Sequence, residues 1–142
     1  MKTRIIIDST TDLLSEYKSR VSVVPLTVNF GEEEYIDGVT IDYKTFYEKL
    51  IESDVLPTTS QANPDTFMQE FEKVKAAGES AVVITLSSKL SGTYQSAMIA
   101  ADDYEDIYVV DGGKIVGEGT HEDLLKTNKI YRNLYETESL NS

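Results

Sequence analysis

The sequence predicts an α/β fold, with an open, mostly parallel sheet in three layers and helices on both faces. Two observations predict it. Short β-rich runs alternate with stretches whose apolar residues recur at helical spacing, the pattern of strands joined by crossover helices. The chemically loaded residues also gather in loops that follow strands or precede helices, where open α/β sheets bind ligands. A chain of 142 residues suits one domain, since domains commonly run to roughly 100–200 residues. The expectation is a single domain over 1–142, in which residues 112–142 form a tail that completes the sheet of residues 1–111.

Arg4-Ile5-Ile6-Ile7 reads as a buried first strand that ends at Asp8-Ser9-Thr10-Thr11-Asp12, a cluster of helix-capping types. Val21 to Phe30 reads as a second extended stretch, with Pro25 placing it at an edge or a break. Gly31 and the segment Glu33 to Ile36 return it as a hairpin. Asp42 then caps a helix through Ser53, in which Phe46, Tyr47, Leu50 and Ile51 share a face.

The next helix has the clearest punctuation. Asn63 is its N-cap, Pro64 its first residue, and Gly78 its stop, with Phe67, Met68, Phe71 and Val74 as the apolar stripe. Ala81 to Thr85 is apolar enough for a central strand. A helix from about Thr93 to Asp102 and a strand at Ile107 to Val110 follow. Lys114 to Val116 suggests another strand. Two short helical patterns close the chain, one with Thr120 and Asp123 as a capping box, one pairing Ile130 with Leu134 and Tyr131 with Tyr135.

Composition excludes several functions. The chain has 25 acidic and 13 basic residues, a net charge of -12, and this disfavours nucleic acid, whose backbone needs Lys and Arg to displace counterions. Without cysteine it has neither a disulfide framework nor a thiolate nucleophile. The opening MKTRIIIDST is neither a signal peptide nor a membrane span, so the reading is a soluble, cytoplasmic protein. The carboxylates fall in no EF-hand loop and the single histidine, His121, offers no zinc spacing, so no metal site is expected. No G-x-S-x-G elbow is present, and His121 reads as a solvated helix-start residue rather than a general base. The expectation is a binding protein, not an enzyme, with no cofactor.

Three loops carry hydroxyls. Asp8-Ser9-Thr10 follows the first strand, Thr58-Thr59-Ser60-Gln61 precedes the helix at Pro64, and Ser87 to Thr93 follows the strand at Ala81 to Thr85. Helix starts present unsatisfied N–H groups and a positive dipole end, which favour a carboxylate or phosphate. At Ser91-Gly92-Thr93 the missing side chain of Gly92 would let such a ligand reach the backbone. Taken alone, each loop reads first as a plain helix cap.

IIIDSTTDL, VVPLTVNFGEEEYIDGVTI, LPTTSQANP and ITLSSKLSGTYQSA, in this order and spacing, closely resemble the first lobe of the DegV family of bacterial fatty-acid-binding proteins. The resemblance spans Ile5 to Asp111. It implies a long-chain fatty acid held between two lobes, with its carboxylate presented to a fatty acid kinase. It also implies Thr59 and Ser91 as carboxylate ligands, with Ser60, Gln61, Gly92 and Thr93 beside them and Ser9 as a weaker candidate. Ala62 stands where the family usually has proline.

From Val109 onward VVDGGKIVGEGTHEDLLKTNKIYRNLYETE resembles instead the C-terminal end of an ABC-transporter ATP-binding domain. Charge changes at the same place: residues 1–111 hold 9 basic and 20 acidic residues, residues 112–142 hold 4 and 5. The G-x-x-x-x-G-K-[ST] loop is missing, so the tail reads as a structural graft in a fusion, natural or engineered. One first lobe without its second would expose an apolar groove, which a lipid or a second copy should cover, and a homodimer is expected. The alternative function is a folded fusion domain without lipid binding, its groove buried by self-association.

Overall fold

The computed structural model describes residues 2–110 and residue 126. Its first sheet is built from β1 (Thr3–Asp8), β2 (Val21–Val24), β6 (Ser80–Ile84) and β7 (Ile107–Val110), in the order β2-β1-β6-β7. All three pairings are parallel, with Ile5 opposite both Val21 and Val82, and Val83 opposite Val109. The expected α/β class with a mostly parallel sheet is therefore observed.

Alternation along these strands decides which face packs. Ile6, Ala81 and Val83 face α2 (Pro64–Ala76) and α3 (Thr93–Ala101), and together with Val24, Phe67, Phe71, Val74 and Ala97 they form the main core. The phenyl rings of Phe67 and Phe71 are wholly buried. Burying each contributes roughly 1.5–3 kcal/mol. The opposite face keeps Ile5, Val23, Ile84 and Tyr108 at 42%, 45%, 36% and 56% exposure. Among the described residues, α2 and α3 thus pack on one face of this sheet.

The expected hairpin of Phe30 with Glu33 to Ile36 is observed, but as part of a second, antiparallel sheet that was not expected. It comprises β3 (Thr27–Phe30), β4 (Glu33–Ile36) and β5 (Thr58–Ser60), in the order β4-β3-β5. The stretch from Val21 to Phe30 is two strands because Pro25 has no N–H to give to a ladder, and the next N–H, of Leu26, donates to the Ser9 hydroxyl at 3.0 Å. The chain leaves one sheet there and enters the other. Val28, Phe30 and Ile41 form a small core over which Phe46 of α1 (Tyr43–Glu52) packs. Lys49 of α1 reaches Glu33 of β4 at 2.8 Å; that contact, with one to Tyr35, holds the ammonium above its ordinary range.

The helix boundaries follow their caps. Asp42 accepts from the Thr45 N–H at 2.7 Å, and Asn63 from the Asp65 N–H at 3.0 Å. Gly78 ends the α2 segment at φ +63°, which a side chain would disfavour. Met68, expected in the α2 stripe, is 38% exposed, because it lies next to Phe67 and so about 100° around the helix from it. A 3-10 helix, Ser15–Arg20, was not anticipated, and none of its residues is buried. The expected strand Lys114 to Val116, the two closing helices and His121 lie outside the described residues.

Candidate functional site

The three hydroxyl loops meet at the carboxyl end of the parallel sheet. Asp8, fully buried at the end of β1, ties two of them: its carboxyl accepts from the Thr10 N–H at 2.9 Å and from the Thr10 hydroxyl on one oxygen, and from the Leu86 N–H at 2.6 Å on the other. A buried carboxyl needs such donors, since burial without hydrogen bonds is costly. Thr93 ties the other pair. Its hydroxyl accepts from the Ala62 N–H at 3.2 Å, so the segment after β5 is fastened to the first turn of α3.

Ser9 serves the backbone. Its N–H donates to the Val24 carbonyl at 3.1 Å and its hydroxyl takes the Leu26 N–H, so it holds the crossing between sheets rather than facing open space. Ser60 accepts from Asn29 at 3.1 Å across the antiparallel sheet. Ser91 accepts from the Thr93 N–H at 3.2 Å and shares a hydrogen bond with the Thr93 hydroxyl at 3.0 Å, which fixes the turn into α3. Thr59 is exposed, and its hydroxyl has no partner among the described residues. It is therefore the hydroxyl of the set most available to a ligand.

Gln61 and Gly92 come together in a way the sequence did not suggest. The Gln61 amide donates to the Ser96 hydroxyl at 3.1 Å, and a Cβ built on Gly92 would lie 1.8 Å from the Gln61 carboxamide oxygen. The space above Gly92 is filled by this side chain instead of standing open to a ligand. Ser96, buried to 1% exposure, was missed because it sits one turn inside a helix; its only signal was its place in the Ser-Gly-Thr-Tyr-Gln-Ser run. Thr85, which follows β6, keeps a buried hydroxyl with no partner among the described residues.

Apolar side chains flank both hydroxyl segments. Leu90, just before Ser91, is 80% exposed, and Val55 and Leu56, just before Thr58, are 53% and 80% exposed. A surface cavity of about 410 Å³ lies at the other end of the sheet, lined by Val74, Lys75, Glu79, Tyr104, Asp106 and Ile107. With Asp103 and Glu105 also on its wall, its charge opposes a carboxylate ligand. No helix among the described residues is long and apolar enough to cross a membrane.

Comparison with known proteins decides the family. The family model described as "Uncharacterised protein, DegV family" matches residues 2–133. The chain belongs to the DegV family. A DegV domain-containing protein of Clostridium perfringens is 39% identical over 151 aligned residues, covering 93% of this chain and 54% of that protein. A solved structure described as fatty acid binding of a DegV family protein from Thermus thermophilus is 34% identical with a TM-score of 0.70, covering 78% of this chain and 41% of that one. A stearic-acid-binding protein from Eubacterium ventriosum is 29% identical with a TM-score of 0.71, covering 96% and 48%. The chain thus spans about half the length, or less, of these DegV relatives. The DegV match runs past Gly112-Gly113 to residue 133, beyond the Asp111 limit expected from the resemblance.

Proposed function

We propose that this chain binds a long-chain fatty acid, with the carboxylate held by the hydroxyls of Thr59 and Ser91 and the amino end of α3, and the alkyl chain laid along the apolar side chains beside them. The observation that carries this reading is the fastening of the Thr-Ser-Gln segment to the Ser-Gly-Thr segment, which gathers hydroxyls from two sheets beside one helix start. DegV relatives described as fatty-acid-binding support it. Each methylene buried contributes about 0.8 kcal/mol, so half of a sixteen-carbon chain supplies roughly 6 kcal/mol against the entropy of association.

The test separates ligands from caps. Thr59→Ala removes a hydroxyl that holds nothing among the described residues, so it should weaken fatty acid binding about tenfold at an unchanged melting temperature, as loss of a hydrogen bond to a charged group does. Ser91→Ala should weaken binding and also lower stability by about 1 kcal/mol, because Ser91 holds the turn into α3. Unchanged affinity in Thr59→Ala would remove this residue from the site.

The same reading makes the chain a binding module without cofactor, working in the cytoplasm, with a fatty acid kinase as partner. Capture of the tagged, lipid-loaded chain from source cells without any kinase would end the partner assignment. Self-association into a homodimer is supported by the apolar face with Ile5, Val23, Ile84 and Tyr108. The folded fusion domain without lipid function is the second reading, and a chain that stays folded but takes up no fatty acid would favour it. For the tail, the Gly-Thr-His-Glu motif and the charge step support a separate origin within a single domain over residues 1–142. Sequencing source DNA across codon 112 tests it, and an interrupted reading frame there would show an engineered join.

A further inference from the structure

Gly92 lies at φ -73°, a backbone conformation open to any residue, so freedom of the backbone does not account for glycine there. What a side chain would meet does. A Cβ at this position would fall 1.8 Å from the Gln61 oxygen and 2.7 Å from its carboxamide carbon, so the Gln61 side chain occupies the place of the one Gly92 lacks. From there its amide reaches the buried Ser96 hydroxyl at 3.1 Å, on the second turn of α3.

This contact spans a seam. Thr59 and Ser60 belong to the antiparallel sheet, Ser91 to the turn that follows the parallel one, and the two sheets share no ladder. Besides the chain link at Pro25, which Ser9 holds just before β3, contacts across the seam set the spacing between the two groups of hydroxyls. The Gln61 side chain and the Ala62 N–H, which donates to Thr93, make that crossing next to each other.

We infer that Gln61 is a positioning residue, not a ligand: through Ser96 it fixes the Thr59-Ser60 hydroxyls relative to Ser91, and Gly92 is glycine to admit it. The inference rests on the fatty-acid reading for what the positioned hydroxyls hold. A head group that must be gripped from both sides loses affinity when the grip widens, even by a change that touches no ligand atom.

The test is a double-mutant cycle on the full chain, read by titration with a fluorescent fatty acid well below the melting temperature and by urea midpoint. Gln61→Ala and Gly92→Ala should each weaken binding about five- to tenfold, the size of one lost hydrogen bond. The double variant should bind no worse than either, because the added methyl has nothing left to displace. Ser96→Ala, which removes the acceptor from a buried position, should reproduce the loss of Gln61→Ala. Additive losses in the double variant, or affinities equal to the parent's in both single variants, would overturn the inference. If the parent binds no fatty acid, the fatty-acid reading falls, and the urea midpoints then decide the bridge alone: coupled shifts support it and additive shifts overturn it.

Discussion

Thr85 and Asp8 would be the next opposed pair after Ile7 and Ile84, yet the two buried polar groups fare differently. Asp8 has a donor on each oxygen, whereas the Thr85 hydroxyl has none among the described residues. Replacing an unsatisfied buried hydroxyl by a methyl of the same shape removes a cost without opening a cavity. Thr85→Val should therefore leave the urea midpoint unchanged or raise it, by up to about 1 kcal/mol of stability. A clear loss of stability would mean the hydroxyl has a partner after all. Tyr104 gives a second expectation of this kind. Its hydroxyl donates to Glu72 of α2 at 2.6 Å, and this bond, with burial and the negative charges of Glu72 and Asp103 behind it, pushes its pKa up to about 12. The folded chain then holds the proton more tightly than the unfolded one. The bond's contribution is fully present below about pH 10 and is lost as pH rises toward 12. Tyr43, held up by its hydrogen bond with Tyr47, also titrates late, so Tyr104→Phe should remove one of the late-titrating groups in tyrosinate absorbance, and an unchanged titration would reassign that group.

Helices and strands were legible wherever the punctuation was chemical. Asn63-Pro64, Asp42 and Gly78 each marked a boundary found in the structure, and the apolar runs of β1, β6 and β7 gave the parallel sheet. Of the second sheet only the hairpin of β3 and β4 was legible. Thr58-Thr59-Ser60 has no apolar alternation to report, is exposed throughout, and becomes a strand only because the edge of β3 is free to pair with it. The 3-10 helix at Ser15–Arg20 buries nothing, so no stripe announced it. Among the candidate site residues, spacing placed Thr59, Ser91 and Thr93 in segments that the structure fastens together, but it could not say which hydroxyls would be consumed by their own backbone. Ser9 is used at the Pro25 crossing and Thr93 at the Ala62 N–H, and both uses depend on segments far away in sequence.

At the level of the whole chain, the partly exposed apolar side chains that surround the buried Ile7 on one face of the parallel sheet most need an explanation. Sheets of this kind are normally buried on both faces, yet Ile5, Val23, Ile84 and Tyr108 stay between 36% and 56% exposed. Self-association would cover them, and a fatty acid would occupy the separate apolar surface around Leu56 and Leu90. The two are compatible, since they use different parts of the molecule. Native mass spectrometry of the freshly purified chain, followed by extraction and identification of bound lipid, reads both at once. The prediction is a dimer carrying one long-chain fatty acid per protomer, or taking one up when challenged with excess. A protein that stays at its bare mass in the presence of excess fatty acid, whatever its oligomeric state, would contradict the proposed function.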